Sequence, residues 1–527
     1  MTPSLETVLR DLAALCAASD LPAWLVGGAA RDLARGLAPA DIDVAVAGDG
    51  LTLARAFADA HGAAFVPLDD ERQTGRAVIP GPRPLTVDIA TLRAPTIEGD
   101  LRLRDFTVNA LALPLTDEQP SSTGRQLAPN IAWLSSAAAR RSSLLDPTGG
   151  LADLEAGALR AAGPSSLSDD PVRVLRAGRL IATLGLRPVP ELAEQLRAAV
   201  PGLAAVAAER IRDELLKLLD APVAAPALRY LDECGALTRV LPELEPARAC
   251  DQPRVHFLPV LAHMLETVAA LDWLILKVED SSEQGEESGE RPAADPAASH
   301  FPIAVQTHPG LIAELPYADR LAALLGARRT GGHRRAALLK LAALLHDNAK
   351  PQTKQLYPDG SVSFYGHQEL GAETAQRIMR RLRMSRADTA YVTLVIREHM
   401  RPGQLRTAEV ITLRAVTRFF RDLGDAGPDV LLHELADHLA TRGPQLNVEG
   451  WAAHLAWVGA MLTHYYTPPP VPPAPLLDGH GLMEALGIGP GPLVGRLLRE
   501  IAEAQAAGEV KTREEALALA RRLSNEA

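Results

Sequence analysis

The fold is decided by the stretch LVGGAARDLARGLAPADIDVAVAG, which occupies Leu25–Gly48. An apolar, strand-like run ends at the glycine pair Gly27 and Gly28, and a helical pattern follows it. A second run, which alternates apolar and polar residues as a strand does, begins at Asp41. The stretch therefore predicts a strand, a tight turn, a helix and a second strand in direct succession.

The sequence on either side of this stretch predicts a small mixed sheet with flanking helices. Residues 1–20 and 51–61 have helical periodicity, and short strands are predicted near 63–67, 74–79 and 85–91. Most of the later sequence is helical in pattern, so the predicted fold class is α+β. The predicted domains are a mixed α/β head (1–150), a helical neck (151–245), a helical domain (246–445) and a helical C-terminal tail (446–527).

Two segments of low apolar content interrupt the helical pattern. The segment 278–300 is acidic and rich in Ser, Gly and Pro, which predicts a disordered insertion because it has too little apolar surface to bury. The segment 467–475 is rich in proline and predicts a linker before the tail.

Composition excludes several classes of protein. The 527 residues have a formal net charge of −11, so RNA binding has to depend on local arginine clusters and not on a global basic field. The three cysteines lie far apart and form no CxxC pair, which favours reduced core residues in a cytoplasmic protein. No signal peptide or membrane span is predicted, and no obligate protein partner is evident.

The carboxylates Asp41 and Asp43 are the first candidate site. Strand alternation places both on one face, about 7 Å apart along the strand. Such a pair can hold Mg²⁺, which can activate an attacking hydroxyl and neutralise a leaving pyrophosphate. Asp88, on another predicted strand, is a candidate third catalytic ligand. Taken alone, an Asp-x-Asp sequence is also typical of a solvated strand end.

The glycine pair strengthens the case for a nucleotide site. Gly27 and Gly28 would let a phosphate approach the backbone, and the following helix N-terminus offers free N–H groups. Arg31 can pair with phosphate oxygens. A glycine pair, an arginine and two carboxylates in this order are far more specific than any one of them.

These residues resemble the head of the polymerase-β-type nucleotidyltransferases, and more closely the bacterial class II tRNA CCA-adding enzymes and poly(A) polymerases. LRLRDFTVNALAL (Leu101–Leu113) is similar to the family's RRDFTxNA element, and DDPVRVLRAGRL (Asp169–Leu180) is similar to its EDxxR element. The resemblance implies that Asp105 contacts the ribose, with Arg104 and Asn109 also at the nucleotide, and that Asp170 and Arg173 read the base. Two residues depart from the family pattern: Leu103 replaces an Arg and Asp169 replaces a Glu.

The side chains of Asp170 and Arg173 suit that role chemically. Three residues apart on a helix, they would share a face. A carboxylate accepts from an exocyclic amine and a guanidinium donates to a ring acceptor, a pattern that cytosine and adenine share and that uracil and guanine lack. A plain surface ion pair is the alternative. Arg176 and Arg179 continue the helix, either toward phosphates or on a solvated face.

A second metal site is predicted in the helical domain. His346 and Asp347 end an apolar helix, and other histidines and an aspartate follow the order H…HD…H…H…D. Imidazole and carboxylate ligands suit Mn²⁺, Ni²⁺, Co²⁺, Fe²⁺ or Mg²⁺. The order resembles an HD-domain metal-dependent phosphohydrolase, although Asn348 departs from the usual HDxGK form. Hydrolysis of phosphomonoesters or 2′,3′-cyclic phosphates and a structural role both stay open. The predicted ligands are His263, His346, Asp347, His367, His399 and Asp437.

An arginine run, Arg377, Arg380, Arg381, Arg383 and Arg386, could contact an RNA backbone or could be a solvated helix face. The function expected from all motifs together is template-independent addition of C, A or both, from CTP and ATP, to a tRNA or other RNA 3′ end. Poly(A), A-only or CC-only addition are alternatives, and an element near 92–100 would permit a switch from C to A. An HD phosphohydrolase with a non-polymerising, RNA-binding head and a non-catalytic RNA-binding scaffold are rivals from other classes.

Overall fold

The structure is a computed structural model that describes residues 3–81, 84–117, 127–253, 255–283, 300–407, 412–467, 474–506 and 508–525. The chain divides into two compact units. The first contains Met1–Val206 and Cys234–Arg239, and the second contains Ala207–Glu233 and Val240–Ala527. The fold is α+β, as predicted. The division into head, neck, HD domain and tail stays a prediction, since residues of the predicted neck occur in both units.

The first unit is built on one six-stranded sheet. Its strand order is β3-β4-β5-β2-β1-β6, in which β2 and β5 are parallel and the other neighbours are antiparallel. Five of these six strands were predicted, with ends within a few residues of those observed. The sixth was missed because it is only three residues long and lies inside a motif. The strands are β1 (Ala23–Val26), β2 (Asp41–Val46), β3 (Ala64–Asp69), β4 (Thr74–Ile79), β5 (Leu85–Thr91) and β6 (Ala112–Pro114).

Strand β2 shows how the sequence sets the two faces of this sheet. Ile42 and Val44 are fully or almost fully buried in the core that the first and third helices cover. Ala45 points to the opposite face, where it packs in a smaller cluster with Trp24 and Leu101. Because side chains alternate along a strand, Asp41 and Asp43 share this second face. The main core therefore lies behind the two carboxylates.

Helices surround the sheet and complete the first unit. The first begins after Ser4, whose side chain accepts from the backbone of Thr7 and caps the helix. Two-residue strands, Ala158–Leu159 and Arg187–Pro188, pair in parallel. The helices are α1 (Leu5–Ala18), α2 (Gly27–Ala34), α3 (Gly50–His61), α4 (Ile97–Arg102), α5 (Ala137–Ser142), α6 (Gly150–Glu155), α7 (Ser166–Asp169), α8 (Arg173–Leu184) and α9 (Pro190–Ala199).

Helices make up most of the second unit. Its elements include α10 (Ala208–Leu219), α11 (Ala225–Glu233), α12 (Ala236–Val240, which begins in the first unit), α13 (Val260–Glu283), α14 (Ile303–Thr307), α15 (Ala318–Gly326), α16 (Arg335–Leu345), α17 (Lys350–Thr353), α18 (His367–Arg381), α19 (Arg386–Glu398), α20 (Arg401–Arg406), α21 (Leu413–Leu423), α22 (Gly427–Arg442), α23 (Val448–Tyr466), α24 (Gly479–Leu486), α25 (Pro492–Ala506) and α26 (Arg513–Asn525).

One predicted boundary in this unit is wrong. The insertion was expected to begin at residue 278, but α13 continues to Glu283, because Val278 extends the apolar face of the helix and is buried. Residues 284–299 of the insertion and 468–473 of the predicted linker lie outside the described residues. Among the helices that the structure describes, none combines the length and apolar character needed to cross a bilayer.

Candidate functional site

The predicted carboxylates lie at one edge of the central strands. The register of the parallel pair β2 and β5 aligns Asp43 with Asp88 and Asp41 with Thr86, whose hydroxyl donates to Asp41. Asp88 is held by Arg76 of β4, whose guanidinium donates to both carboxylate oxygens at 2.7 Å. Arg76 was missed from the sequence. The clue is its position on the strand beside β5, which only the sheet register reveals.

The surroundings of Asp43 at this edge of the sheet raise its pKa. Burial is the largest influence and raises its pKa; Arg104 acts against burial, while the charges of Asp88 and Asp41 raise it further, to about 6. Three carboxylates meet there, and among the described residues a cation is hydrogen-bonded to Asp88 but to neither Asp41 nor Asp43. A divalent cation would relieve the repulsion between Asp41 and Asp43, so the donor set fits an oxygen-ligated Mg²⁺.

Gly27 makes room beside these carboxylates. Its φ of +70° favours glycine, and a Cβ at this position would lie 3.1 Å from a terminal guanidinium nitrogen of Arg104 and 3.6 Å from a carboxylate oxygen of Asp43. The helix α2 begins at Gly27 itself and not at residue 29, so the glycine pair forms its first turn. The backbone is thus open to a close ligand at the carboxylates.

A polar chain links four of the predicted nucleotide-binding residues. Arg31 donates to Asn109 at 2.6 Å, Asn109 donates to Asp105 at 3.2 Å, and Arg176 donates to the other oxygen of Asp105 at 2.9 Å. Asp105 is buried, which raises its pKa, but Arg176 outweighs burial and the pKa falls to about 2. Asp105 is therefore ionised at neutral pH and can accept hydrogen bonds.

Arg104 lies between this chain and the carboxylates. It forms an ion pair of 3.1 Å with the buried Asp100, which Arg93 also contacts at 2.9 Å. The neighbouring Leu103 exposes 39 % of its surface, so an apolar side chain stands where the family has a cation. Its carbonyl accepts hydrogen bonds from Arg93 and Arg173.

The prediction that Asp170 and Arg173 share one face of a helix is wrong. Asp170 is extended and follows α7, and α8 begins only at Arg173. A proline between them, Pro171, disfavours helix at the residue before it. The two charged groups nevertheless lie 3.9 Å apart. Arg173 is buried and donates to the carbonyls of Leu103 and Ser166, while its Nε makes no hydrogen bond. Arg179 lies half-buried further along α8.

The six predicted ligands of the second site also lie close together. His346 and Asp347 follow α16, every residue of which is buried. His263 is 2.9 Å from Asp437 and 3.6 Å from Asp347. His367 is 3.3 Å from the other oxygen of Asp347, and 3.3 Å from His399. The six side chains come from α13, the end of α16, α18, the end of α19, and α22.

Backbone carbonyls orient three of these imidazoles. The Nδ1 atoms of His346, His367 and His399 hydrogen-bond the carbonyls of Ala343, Phe364 and Ile396 at 2.7–2.8 Å. Each such bond protonates Nδ1 and leaves the lone pair on Nε2. All three Nε2 atoms lie within 4.0 Å of Asp347 oxygens.

Asp347 is the centre of the cluster. One of its oxygens faces His263 and His346, and the other faces His367 and His399. Both oxygens are buried, and Lys350 Nζ lies 2.6 Å from the oxygen that faces His346. Burial raises the pKa of Asp347, but the charges of His346 and Lys350 outweigh burial and hold the pKa well below its ordinary value. An ionised carboxylate surrounded by imidazole nitrogens is a donor set that fits a divalent cation.

Two further residues bear on this cluster. His433 was missed; it lies on α22 one turn before Asp437, and its ring packs against His346 with centroids 4.9 Å apart. The four-residue spacing on one helix was the signal that could have found it. Asn348, the departure from the family form, donates to the carbonyl of Gly371.

Three families match parts of the chain. Residues 23–102 match the poly A polymerase head domain, 185–248 match the probable RNA and SrmB-binding site of polymerase A, and 316–426 match the HD domain. The HD match does not include His263 or Asp437. The structure places these two residues beside the other four candidate ligands.

Known proteins match over nearly the whole length. The chain is 34 % identical to an A-adding tRNA nucleotidyltransferase of Deinococcus radiodurans, over 96 % of each chain. It is 32 % identical to a CC-adding tRNA nucleotidyltransferase of Thermus thermophilus, over 94 % of this chain and 92 % of the relative. A solved structure of the Thermotoga maritima CCA-adding enzyme complexed with tRNA has a TM-score of 0.56 at 19 % identity, over 99 % of this chain and 97 % of that one.

Proposed function

Because this chain belongs to the class II CCA-adding family of tRNA nucleotidyltransferases and carries an HD domain, we propose that it adds C, A or both to tRNA 3′ ends. CTP and ATP are the nucleotide substrates and pyrophosphate is released. The observation that carries the proposal is the carboxylate edge of Asp41 and Asp43, open beside the glycine turn at Gly27. Relatives that add A and relatives that add CC resemble the chain to nearly the same degree, so their names do not choose between the two.

In this proposal, different residues of the head bind the metal, the triphosphate and the ribose. Asp41 and Asp43 would hold Mg²⁺, which when bound stabilises the charge of the triphosphate and leaving group. Gly27, Gly28, Arg31 and Arg104 cradle the triphosphate. Asp105, ionised at neutral pH, accepts hydrogen bonds from the ribose hydroxyls. The RNA 3′-oxygen attacks the α-phosphorus, the bond from that phosphorus to the bridging oxygen breaks, and the hydroxyl proton passes to solvent.

Base selection is assigned to Asp170 and Arg173. Arg173 is fixed by two carbonyls, so its remaining donors are presented in one orientation. A buried Nε without a hydrogen bond is a donor that a base acceptor could satisfy. The carboxylate of Asp170 would accept from the exocyclic amine of cytosine or adenine.

Single-nucleotide incorporation tests the proposal. The protein is incubated with tRNAs that end at the discriminator base, at C and at CC, each with one labelled nucleotide. We expect incorporation of C, of A or of both, and none of U or G. The three tRNA ends distinguish CCA, CC-only and A-only addition, and repeated A addition would indicate a poly(A) polymerase. No incorporation on any end would contradict the proposal and favour a head that only binds RNA.

The HD cluster supports a second candidate activity. His263, His346, Asp347, His367, His399 and Asp437 would hold a divalent transition metal or Mg²⁺, and the convergence of the imidazole nitrogens on Asp347 supports this inference. The substrate class is a phosphomonoester or 2′,3′-cyclic phosphate at an RNA end. Release of inorganic phosphate from a 3′-phosphorylated oligonucleotide, or opening of the cyclic phosphate, with added Mn²⁺ or Ni²⁺ tests it. A protein that retains metal and cleaves neither substrate has a structural HD centre.

A further inference from the structure

A groove rich in arginine lies on the second unit, where α18 and α19 pack against each other. Its volume is about 460 Å³. We call it the arginine groove. The polar or charged side chains along it are Gln376, Arg380, Arg386, Thr389 and Thr393, with Met384 beside them.

The groove stands out by its local charge. Five arginines occur between residues 377 and 386, and no acidic residue lies between 374 and 387, in a chain whose net charge is −11. The nearest acid on α19, Asp388, is fully buried and accepts from His333 at 2.9 Å. The groove lining itself contains no carboxylate.

Two of its arginines have no counter-charge. Within the described part of the chain, Arg380 and Arg386 form no ion pair within 4 Å and no side-chain hydrogen bond. Their neighbours differ: Arg381 pairs with Glu243 at 2.7 Å, and Arg383 lies 4.0 Å from Glu209. The pairing of Arg381 shows that this helix end can recruit carboxylates, and the groove is the part that lacks them.

A solvated helix face is the simpler interpretation of the arginine run, and the groove argues against it. Solvated faces in folded proteins usually mix charges of both signs. Here both guanidiniums border one concave surface whose other polar groups are an amide and two hydroxyls. The two hydroxyls donate to backbone carbonyls of α19 and its N-cap, so the guanidiniums and the amide are the groups that can donate to the unesterified oxygens of a phosphodiester.

We propose that the arginine groove binds the ribose–phosphate backbone of the RNA substrate. The contact is independent of sequence, because the groove offers charge and donors to phosphate, and none of the described residues along it has an aromatic side chain on which a base could stack. It gives a chain with a net negative charge a local means of holding a polyanion. The inference rests on the proposed function in one respect: it takes the RNA substrate to be tRNA.

Equilibrium binding of deacylated tRNA to the full chain tests the groove. The double variant Arg380→Ala/Arg386→Ala should raise the Kd about tenfold at moderate salt. The slope of log K against log salt should fall by about one for each lost contact. Arg380→Lys/Arg386→Lys, which keeps both charges, should recover most of the affinity. Lys277→Ala/Lys354→Ala removes two exposed cations elsewhere in the unit and should leave Kd and slope within twofold.

Three results would overturn the proposal. The first is an unchanged Kd and salt slope in Arg380→Ala/Arg386→Ala. The second is a loss of affinity in Lys277→Ala/Lys354→Ala equal to the loss in that variant. The third is displacement of tRNA by poly-glutamate as effective as displacement by unrelated RNA, which would indicate an acidic polypeptide as the partner. Unfolding midpoints confirm that all variants are folded. Incorporation by the wild type is measured on the same tRNA, so that a failure of the groove can be distinguished from a failure of the proposed function. A wild type that binds tRNA through the groove but incorporates nothing would contradict only the proposed function.

Discussion

The carboxylate edge of the head and the histidine cluster of the HD domain both bring candidate metal ligands together, but the neighbouring charges shift the pKa of Asp43 and of Asp347 in opposite directions. At the head, burial and the adjacent carboxylates raise the pKa of Asp43 to about 6. In the HD cluster, imidazoles and Lys350 hold the pKa of Asp347 well below its ordinary value despite complete burial. The head therefore has an excess of negative charge, and the cluster is already compensated.

This difference indicates what each site would bind. Oxygen ligands with surplus charge favour a hard, hydrated cation such as Mg²⁺, which can leave with its nucleotide. Imidazole nitrogens oriented by backbone carbonyls favour a transition metal that stays with the protein. One site is arranged for a cation that arrives with substrate and the other for a resident ion, and the predictions below test that contrast.

The largest effect is expected from the head carboxylates. Asp41→Ala/Asp43→Ala should reduce incorporation of C and A by about three orders of magnitude or more, because the charge stabilisation lost is several kcal/mol. HD metal content should not change. The measurement is single-turnover incorporation, with Asp59→Ala, an exposed head carboxylate, as the control. Residual activity near that of wild type would remove these two residues from catalysis.

The next largest effect is expected at the centre of the HD cluster. Asp347→Asn removes the carboxylate that faces four imidazoles, and metal affinity should fall about a hundredfold or more. Metal analysis after dialysis measures this loss, with His308→Gln, outside the cluster, as the control. Incorporation at the head should continue. Loss of both properties together would break the contrast, since the two sites would then depend on one another.

Chain-local patterns predicted most of these ligands. Asp41 and Asp43 share a strand, and His346 and Asp347 are adjacent, so spacing alone constrains them. The residues that sequence analysis missed are set by tertiary neighbours. Arg76 reaches Asp88 only because β4 pairs with β5 in a particular register, and no pattern within one strand encodes that register.

The wrong local predictions have two different causes. Asp170 and Arg173 were expected on one helix, but Asp170 is extended because it precedes Pro171, and α8 begins at Arg173 with the two charges 3.9 Å apart. The end of α13 was predicted too early because acidic, polar composition outweighed one buried contact at Val278. The first boundary is set by the local effect of a proline, and the second by the burial of one side chain, which composition does not reveal.

The head can be probed further through Arg173, the arginine proposed to read the base. Arg173→Lys keeps a cation but loses the fixed fork of donors, so preference for CTP and ATP over UTP and GTP should fall about tenfold to a hundredfold. The ratio of kcat/KM values for each nucleotide measures it, with Arg179→Lys on the same helix as the comparison. An unchanged ratio would assign base selection to other groups.

The pH dependence of the two sites should also differ. At limiting Mg²⁺, incorporation should rise about tenfold between pH 5 and 7 and level off above pH 7, because Asp43 has to lose its proton before it can bind a cation. Saturating Mg²⁺ should shift the rise to lower pH, since metal competes with the proton. Asp347 is already ionised over this range. HD metal retention measured at the same pH values should therefore not follow this curve.

The smallest effect is on the stability of the metal-free head. A carboxyl group whose pKa is raised by folding costs no stability below its unfolded pKa of 3.8, and the cost grows as pH rises to about 6. Asp43→Asn removes that cost, so in EDTA at pH 7.5 the variant should be more stable than wild type by about 1–3 kcal/mol, a few degrees in Tm. The difference should vanish below pH 4 and shrink when Mg²⁺ is added, while Asp59→Asn should show none. A variant less stable than wild type in EDTA would mean that Asp43 is held by favourable contacts and not by repulsion, and the contrast with Asp347 would fail.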